Sequence, residues 1–178
     1  VNLMNKTKLD FTKIQLQNTN SQFIFNEDIS VSPQAFQKLV DDEITHNQSN
    51  STSTIFIETV DPVVAFAKLL AAWSQEKCAV IFPETHNEEM RKKLQECIHG
   101  KKSTLDKIKG ATLVIFTSGS TGTPKAIVHS LEALIISAQA SLKFYYMSAN
   151  DTWGLSLPHY HIGGLMIFLR AFINKSSL

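Results

Sequence analysis

The sequence is poor in the features that mark secreted, membrane-spanning or nucleic-acid-binding proteins. It has only two cysteines, Cys78 and Cys97, and their spacing is not that of a redox or metal motif. No apolar run reaches 18 residues and no apolar signal segment opens the chain, so we expect no membrane span. The formal net charge is +1 without a basic stripe, so nucleic acid is not an expected partner. These absences favour a globular protein of the reducing cytoplasm.

Strand-like and helix-like patterns alternate along most of the chain. A short strand is predicted at 22–25, and Ser32-Pro33 has the pattern of a helix start. From residue 54 the alternation is regular and predicts an α/β fold with a largely parallel sheet flanked by helices. The predicted strands are 54–59, 78–82, 112–116, 126–128 and 153–157, and the predicted helices begin at Asp61-Pro62, Asn87, Ser130 and Ile162. Gly100 is predicted to follow the second of these helices, and the last is predicted to end at Ile173.

One segment carries an unusual density of hydroxyls and glycines directly after a buried strand. Gly119 and Gly122 permit positive φ and let backbone N–H groups approach an anion, and Lys125 adds a positive charge. The spacing is not that of a Walker A loop, which requires four residues between its glycines and a Gly-Lys pair. A plain polar surface turn is the alternative. The predicted phosphate-binding residues are Thr117, Ser118, Gly119, Ser120, Thr121, Gly122, Thr123 and Lys125.

This segment resembles the phosphate loop of the adenylate-forming superfamily, which includes acyl-CoA synthetases, peptide-synthetase adenylation domains and luciferases. A second segment, 155–165, resembles that superfamily's Pro-x-aromatic-His stretch, which lines the acyl pocket. The resemblance implies that His161, Gly163 and Gly164 form part of an acid-substrate pocket. His159 departs from the superfamily pattern, in which an apolar residue usually follows the proline.

The flanking residues narrow the resemblance to the o-succinylbenzoate–CoA ligase branch of this superfamily. The similar stretches are 125–130, 137–139, 153–158 and Arg170-Ala171. The resemblance implies Mg-ATP and CoA as co-substrates and a small carboxylic acid as substrate. It also implies that 1–178 is the N-terminal part of one adenylation domain. The adenine, ribose, Mg²⁺ and catalytic-lysine motifs and the C-terminal lid domain are then expected after residue 178, with no catalytic residue before it.

Several alternatives stay open at this point. Another fatty-acyl, aryl or aminoacyl adenylating enzyme would carry the same loop, as would a non-catalytic α/β binding module. The oligomeric state is open, with a homo-oligomer as one alternative. His129 favours a structural role, and His159 is balanced between structure and site. His159 and His161 could share a strand face, but no third ligand is evident, so no metal site is predicted.

Overall fold

A computed structural model of the chain describes residues 24–25, 30–49, 52–85, 88–99, 110–118 and 124–178. Two short antiparallel strands precede the first helix, and the main sheet and its helices follow. In chain order the elements are β1 (Ile24–Phe25), β2 (Ser30–Val31), α1 (Pro33–Gln48), β3 (Thr54–Ile57), α2 (Pro62–Ser74), β4 (Cys78–Ile81), α3 (Glu88–His99), β5 (Thr112–Ser118), β6 (Pro124–Ser130), α4 (Leu131–Phe144) and α5 (Ile162–Asn174).

Three helices begin where side-chain caps predict that they begin. Ser32, Asp61 and Ser130 each accept a hydrogen bond from a backbone N–H in the first turn of α1, α2 and α4. Pro33 and Pro62 occupy the first helical position, where no N–H is needed. Each cap of this kind stabilises its helix by about 1 kcal/mol. The predicted ends of α3, Asn87 and Gly100, lie outside the described residues, and no helix of the described part is long and apolar enough to cross a membrane.

The main sheet confirms the predicted, largely parallel topology. Its strand order is β3-β4-β5-β6; β4 is parallel to both of its neighbours, and β6 is antiparallel to β5. All four residues of β4 are buried, as expected for a strand covered on both faces. Helices α2 and α3 supply the long crossovers that parallel pairing needs, whereas a short connection suffices between β5 and β6.

Each face of the sheet packs against a different set of helices. Leu113 and Ile115 of β5 belong to a core that also contains residues of α1, α2, α4 and α5. Val114 and Phe116 alternate with them and belong to a second core with α3. Side chains alternate along a strand, so the position of each β5 residue determines which helices it meets.

The predicted strand at 153–157 is wrong. Only Thr152 forms a β-bridge, to Ser177, and the five residues that follow are irregular. The Ser156 N–H donates to the Gly154 carbonyl, which folds the segment into a tight turn and removes those groups from any ladder. The predicted helix after this segment is confirmed as α5.

Candidate functional site

The predicted phosphate-binding segment connects two directly paired strands. Its first two residues, Thr117 and Ser118, end β5. Ser118 pairs with Pro124 next to the turn, and Thr117 pairs with Lys125 one position further along β6. The loop is therefore shorter than the predicted 117–125, because backbone pairing extends into both of its ends. Residues 119–123, with the two glycines and three hydroxyls, lie outside the described residues.

Thr117 and Lys125 lie on the same face of the sheet. Residues directly opposite each other on paired strands project to the same side, and Thr117 alternates with the inward-facing Phe116. Phe116 and its partner Ala126 pack toward α3, so Thr117 and Lys125 project toward the face of α2, α4 and α5. Both side chains are exposed. A hydroxyl and an ammonium group thus stand together at the end of the sheet, where an anion can reach them.

The second predicted segment leads into α5. His161 occupies the N-cap position of this helix, but its side chain makes no capping hydrogen bond and is exposed. The His161 N–H donates to the Pro158 carbonyl at 3.0 Å, which closes a turn over 158–161. The imidazole lies against the Tyr160 ring, with ring centroids 4.8 Å apart. The ring nitrogens of His161 are therefore not used as helix caps.

The two glycines of this segment have different surroundings. A Cβ at Gly164 would overlap the backbone carbonyl oxygens of both Leu157 and Pro158. A Cβ at Gly163 would meet only the tip of the Leu157 side chain, which is about half exposed. Gly164 therefore allows the turn to lie directly on the first turn of α5, so the space beside it is filled by the chain itself. Whether Gly163 and Gly164 also line a ligand pocket stays a prediction.

His159 is the buried residue of the turn. It is 6% exposed, and its Nε2 lies 3.0 Å from the Thr59 carbonyl oxygen. Its ring meets Phe66 of α2 edge-on, with centroids 6.3 Å apart. Burial lowers the pKa of His159, while the Thr59 carbonyl and the carboxylates of Asp61 and Glu84 oppose that shift. In the sequence, the departure of His159 from the superfamily pattern is the one signal for this position, and it does not distinguish a structural role from a site role.

Both segments lie at the carboxyl edge of the parallel strands. Ile57 pairs with Ile81, and the register of Val80 with Val114 brings Ile115 beside Ile81. Ile57, Ile81 and Ile115 therefore form a row across the three strands. Thr59 lies two residues after Ile57, and Thr117 lies two residues after Ile115. Neighbouring strands are about 4.8 Å apart, so β3 and β5 are separated by roughly 10 Å. Ligands of open α/β sheets bind outside this edge.

Two other polar residues, Arg170 and His129, differ in their surroundings. Arg170 of α5 follows Gly163 by seven residues, which places it two turns along the same helix face. Its Nε is buried and has no hydrogen-bond partner among the described residues. His129 lies in β6 opposite Leu113 and is partly exposed. The described part of the chain holds no group of three His, Cys, Asp or Glu side chains that could bind a metal ion.

Comparisons with known proteins agree with this architecture. A stretch of 65 residues is 42% identical to a 2-succinylbenzoate–CoA ligase of Haemophilus influenzae. This stretch covers 36% of this chain and 14% of that protein. A stretch of 54 residues is 48% identical to the Escherichia coli ligase of the same name. This stretch covers 30% of this chain and 12% of that protein.

A solved structure shares the fold over most of the chain. It is the O-succinylbenzoate Coenzyme A synthetase of Bacillus subtilis in complex with ATP and magnesium ion, with a TM-score of 0.70 and 17% identity. The match covers 88% of this chain and 52% of that one, so the chain spans about half the length of this relative. The model of the AMP-binding enzyme family matches residues 31–177. Because that match covers most of this chain's residues, the chain belongs to the family of AMP-binding enzymes.

Proposed function

We propose that the protein containing this chain is an ATP-dependent carboxylate–CoA ligase, with o-succinylbenzoate as its acid. The observation that carries the proposal is that the predicted phosphate-binding segment connects two paired strands, with the Thr117 hydroxyl and the Lys125 ammonium exposed at the carboxyl edge of the sheet. The relatives' names supply the acid and the thiol, since both matching ligases are named for 2-succinylbenzoate and CoA.

The reaction has two steps. A carboxylate oxygen of the acid attacks the α-phosphorus of ATP, the bond to the β-phosphate oxygen breaks, and pyrophosphate leaves with the electron pair. The CoA thiol then loses its proton and attacks the acyl carbon of the adenylate, and AMP leaves. The first step gathers negative charge on the departing pyrophosphate, so fixed donors and a cation at that position lower the barrier.

We propose that Lys125 and the Thr117 hydroxyl meet this requirement. The ammonium of Lys125 is exposed beside Thr117, so it can bind phosphate oxygens without first breaking a buried contact. A charge-assisted hydrogen bond of this kind contributes roughly 1.5–3 kcal/mol. Mg²⁺ that arrives with ATP would offset further negative charge on the triphosphate. We assign no metal ligand, because the described residues hold no suitable group of side chains.

The acid-binding side of the proposal rests on α5. o-Succinylbenzoate has two carboxylates, and only one of them is activated. The other requires a cation if it is taken out of water. Arg170 has a buried Nε without a partner among the described residues, on the helix face that also carries Gly163. With His161 at the start of the same helix, we propose that α5 provides both the pocket wall and the cation for the second carboxylate.

Two other functions remain to be tested against this one. A different adenylating enzyme would use the same loop with another acid, and it would then have no need for Arg170. A non-catalytic member of the family would bind anions through the loop without releasing pyrophosphate. We also propose the cytoplasm as the site of action, because ATP and CoA are available there and thiols stay reduced.

The test is pyrophosphate release by the full-length protein with Mg-ATP, CoA and a panel of carboxylic acids. We expect o-succinylbenzoate to be preferred over fatty, benzoic and amino acids. Lys125→Ala should lower the rate of pyrophosphate release about 10-fold or more, because one charge-assisted contact to the leaving group is lost. Lys143→Ala, which removes another exposed lysine, at the end of α4, is the matched control and should leave the rate unchanged.

The outcomes separate the three functions. Preference for another acid would replace o-succinylbenzoate but retain the enzyme class. Absence of pyrophosphate release with every acid, together with retained ATP binding, would favour the non-catalytic alternative. Equal rates for Lys125→Ala and Lys143→Ala would remove Lys125 from the phosphate site.

A further inference from the structure

The turn at 158–161 is attached to the sheet through one side chain. Nε2 of His159 lies 3.0 Å from the carbonyl oxygen of Thr59, a residue one hundred positions earlier in the chain. Thr59 follows β3 at the carboxyl edge of the sheet, and its Oγ1 accepts a hydrogen bond from the N–H of Asp61. The group that holds His159 is therefore itself held at the start of α2.

The hydrogen bond determines how His159 is protonated. A carbonyl oxygen can only accept, so Nε2 must carry the proton and donate it. In the neutral ring Nδ1 then has no proton, which matches a side chain that is almost fully buried. A leucine at this position would fill the space but could not donate to the Thr59 carbonyl.

The ring of His159 is also fixed by aromatic packing. It meets Phe66 of α2 edge-on, and Phe66 stacks on Phe168 of α5 with centroids 3.8 Å apart. Two residues after His159, the His161 N–H donates to the Pro158 carbonyl and closes the turn. Gly164 then lets the turn lie against α5. Few alternative positions are left for His161 once His159 is in place.

We propose that His159 is a positioning residue, which anchors the 158–161 turn to Thr59 and so determines where His161 stands in the acid pocket. The proposal rests on the function proposed above for that pocket. His159 touches no reacting atom, and its effect reaches the substrate through the backbone of the turn. It predicts that losing the anchor weakens binding of the acid more than binding of ATP.

The charged neighbours of His159 allow a pH test. Asp61 at the start of α2 and the carboxylate of Glu84 after β4 favour its protonated form, while burial disfavours it more strongly. Tyr160 contributes a ring contact at 5.3 Å. Acidification should therefore charge a buried ring and loosen the turn. Binding of the acid should weaken below about pH 6.5, the ordinary pKa of histidine.

The experiment compares three variants of the full-length protein. His159→Leu removes the donor, His159→Gln keeps an N–H near the position of Nε2, and His46→Gln changes an exposed histidine on α1 as the control. We expect His159→Leu to raise KM for the acid three- to tenfold with KM for ATP within twofold of wild type. His159→Gln should restore most of the difference, and the rise of the acid KM at low pH should be smaller in this variant than in wild type, because only the part that depends on His159 is removed.

A second measurement does not depend on turnover. Amide hydrogen exchange of the 157–165 stretch should be about tenfold faster in His159→Leu than in wild type or His46→Gln, with α4 unaffected. If His159→Leu were globally unfolded, the pH dependence of wild type against His159→Gln would decide.

The proposal would be overturned by any of three results. These are unchanged exchange and acid KM in His159→Leu, a His159→Gln variant as impaired as His159→Leu, or a wild-type acid KM independent of pH. If wild type released no pyrophosphate with any acid, the proposed function would fail instead. The exchange measurement would then still decide whether His159 anchors the turn.

Discussion

Replacing Gly164 by alanine tests how closely the 158–161 turn packs against α5. The added Cβ would overlap two backbone carbonyl oxygens, those of Leu157 and Pro158. Carbonyl oxygens of a closed turn cannot rotate away as a side chain can, so the turn or the helix must shift. Gly163→Ala is the matched control, because it lies in the same helical turn and meets only the tip of the Leu157 side chain.

The expected magnitudes follow from two opposing contributions. Alanine is favoured over glycine in a helix interior by roughly 0.8–1 kcal/mol, and a gain of at most this size should apply to both variants, since both residues lie in the first turn of α5. Overpacking at a site that cannot relax costs about 1–3 kcal/mol, and only Gly164→Ala should incur it fully. The difference between the two variants isolates the clash, so the free energy of unfolding should be about 1–3 kcal/mol lower for Gly164→Ala than for Gly163→Ala.

Urea denaturation of both variants measures this difference, with unchanged m-values as the check that the unfolding transition is comparable. Hydrogen exchange at 157–165 should report local loosening in Gly164→Ala alone. Two variants of equal stability with equal exchange would refute the reasoning. In that case the turn would not lie directly on α5, and the space beside Gly164 would be available to a ligand, as the sequence resemblance implies.

Three further predictions concern single side chains. The pKa of His159 is lowered in the folded state, so the unfolded chain binds the proton first as the pH falls. The stability that His159 contributes above about pH 6.5 should therefore be lost as the pH falls through the folded-state pKa. Thermal melts that fall equally in wild type and His159→Gln over this range would contradict this. Trp73→Phe should lower the free energy of unfolding by about 1–3 kcal/mol in urea denaturation, because the indole N–H donates to the buried Thr112 carbonyl at 2.9 Å. A loss well below about 1 kcal/mol would show that another donor replaces the indole. Burial raises the pKa of the Cys78 thiol, so a thiol reagent followed by mass spectrometry should label the partly exposed Cys97 first; equal rates for both cysteines would be contrary to the packing of β4.

Local signals predicted most of the fold, and the failure at 153–157 has a physical cause. Ser32, Asp61 and Ser130 are short polar residues that cap helices through their own side chains, so the helix starts can be read without knowledge of the fold. Trp153, Leu155 and Leu157 alternate as in a strand. However, Gly154 and the turn that it forms with Ser156 take these residues out of the ladder. Alternation shows which residues could share a face, but not whether a partner strand is available.

The candidate site also has a part that the sequence predicts and a part that only the structure shows. The glycines, hydroxyls and lysine of 117–125 are adjacent in sequence, so their order alone identifies the segment. His159 and Thr59 are separated by one hundred residues, and nothing in either neighbourhood predicts their hydrogen bond. For Gly164, the sequence indicates a need for space, but the structure shows that the turn's own backbone occupies that space.

The order of strands would allow two distant segments to serve the proposed reaction. Adenylation requires the carboxylate and the triphosphate to meet, which is a constraint on position more than on residue type. Parallel pairing of β3, β4 and β5 brings their carboxyl ends to one edge, and the register aligns the residues that follow β3 and β5. The Thr59 carbonyl then meets His159 in the turn before α5, while Thr117 begins the predicted phosphate-binding segment two strands away. Because the connection passes through β4, a variant that shifts the register of β4 should separate the two segments without changing any residue of either.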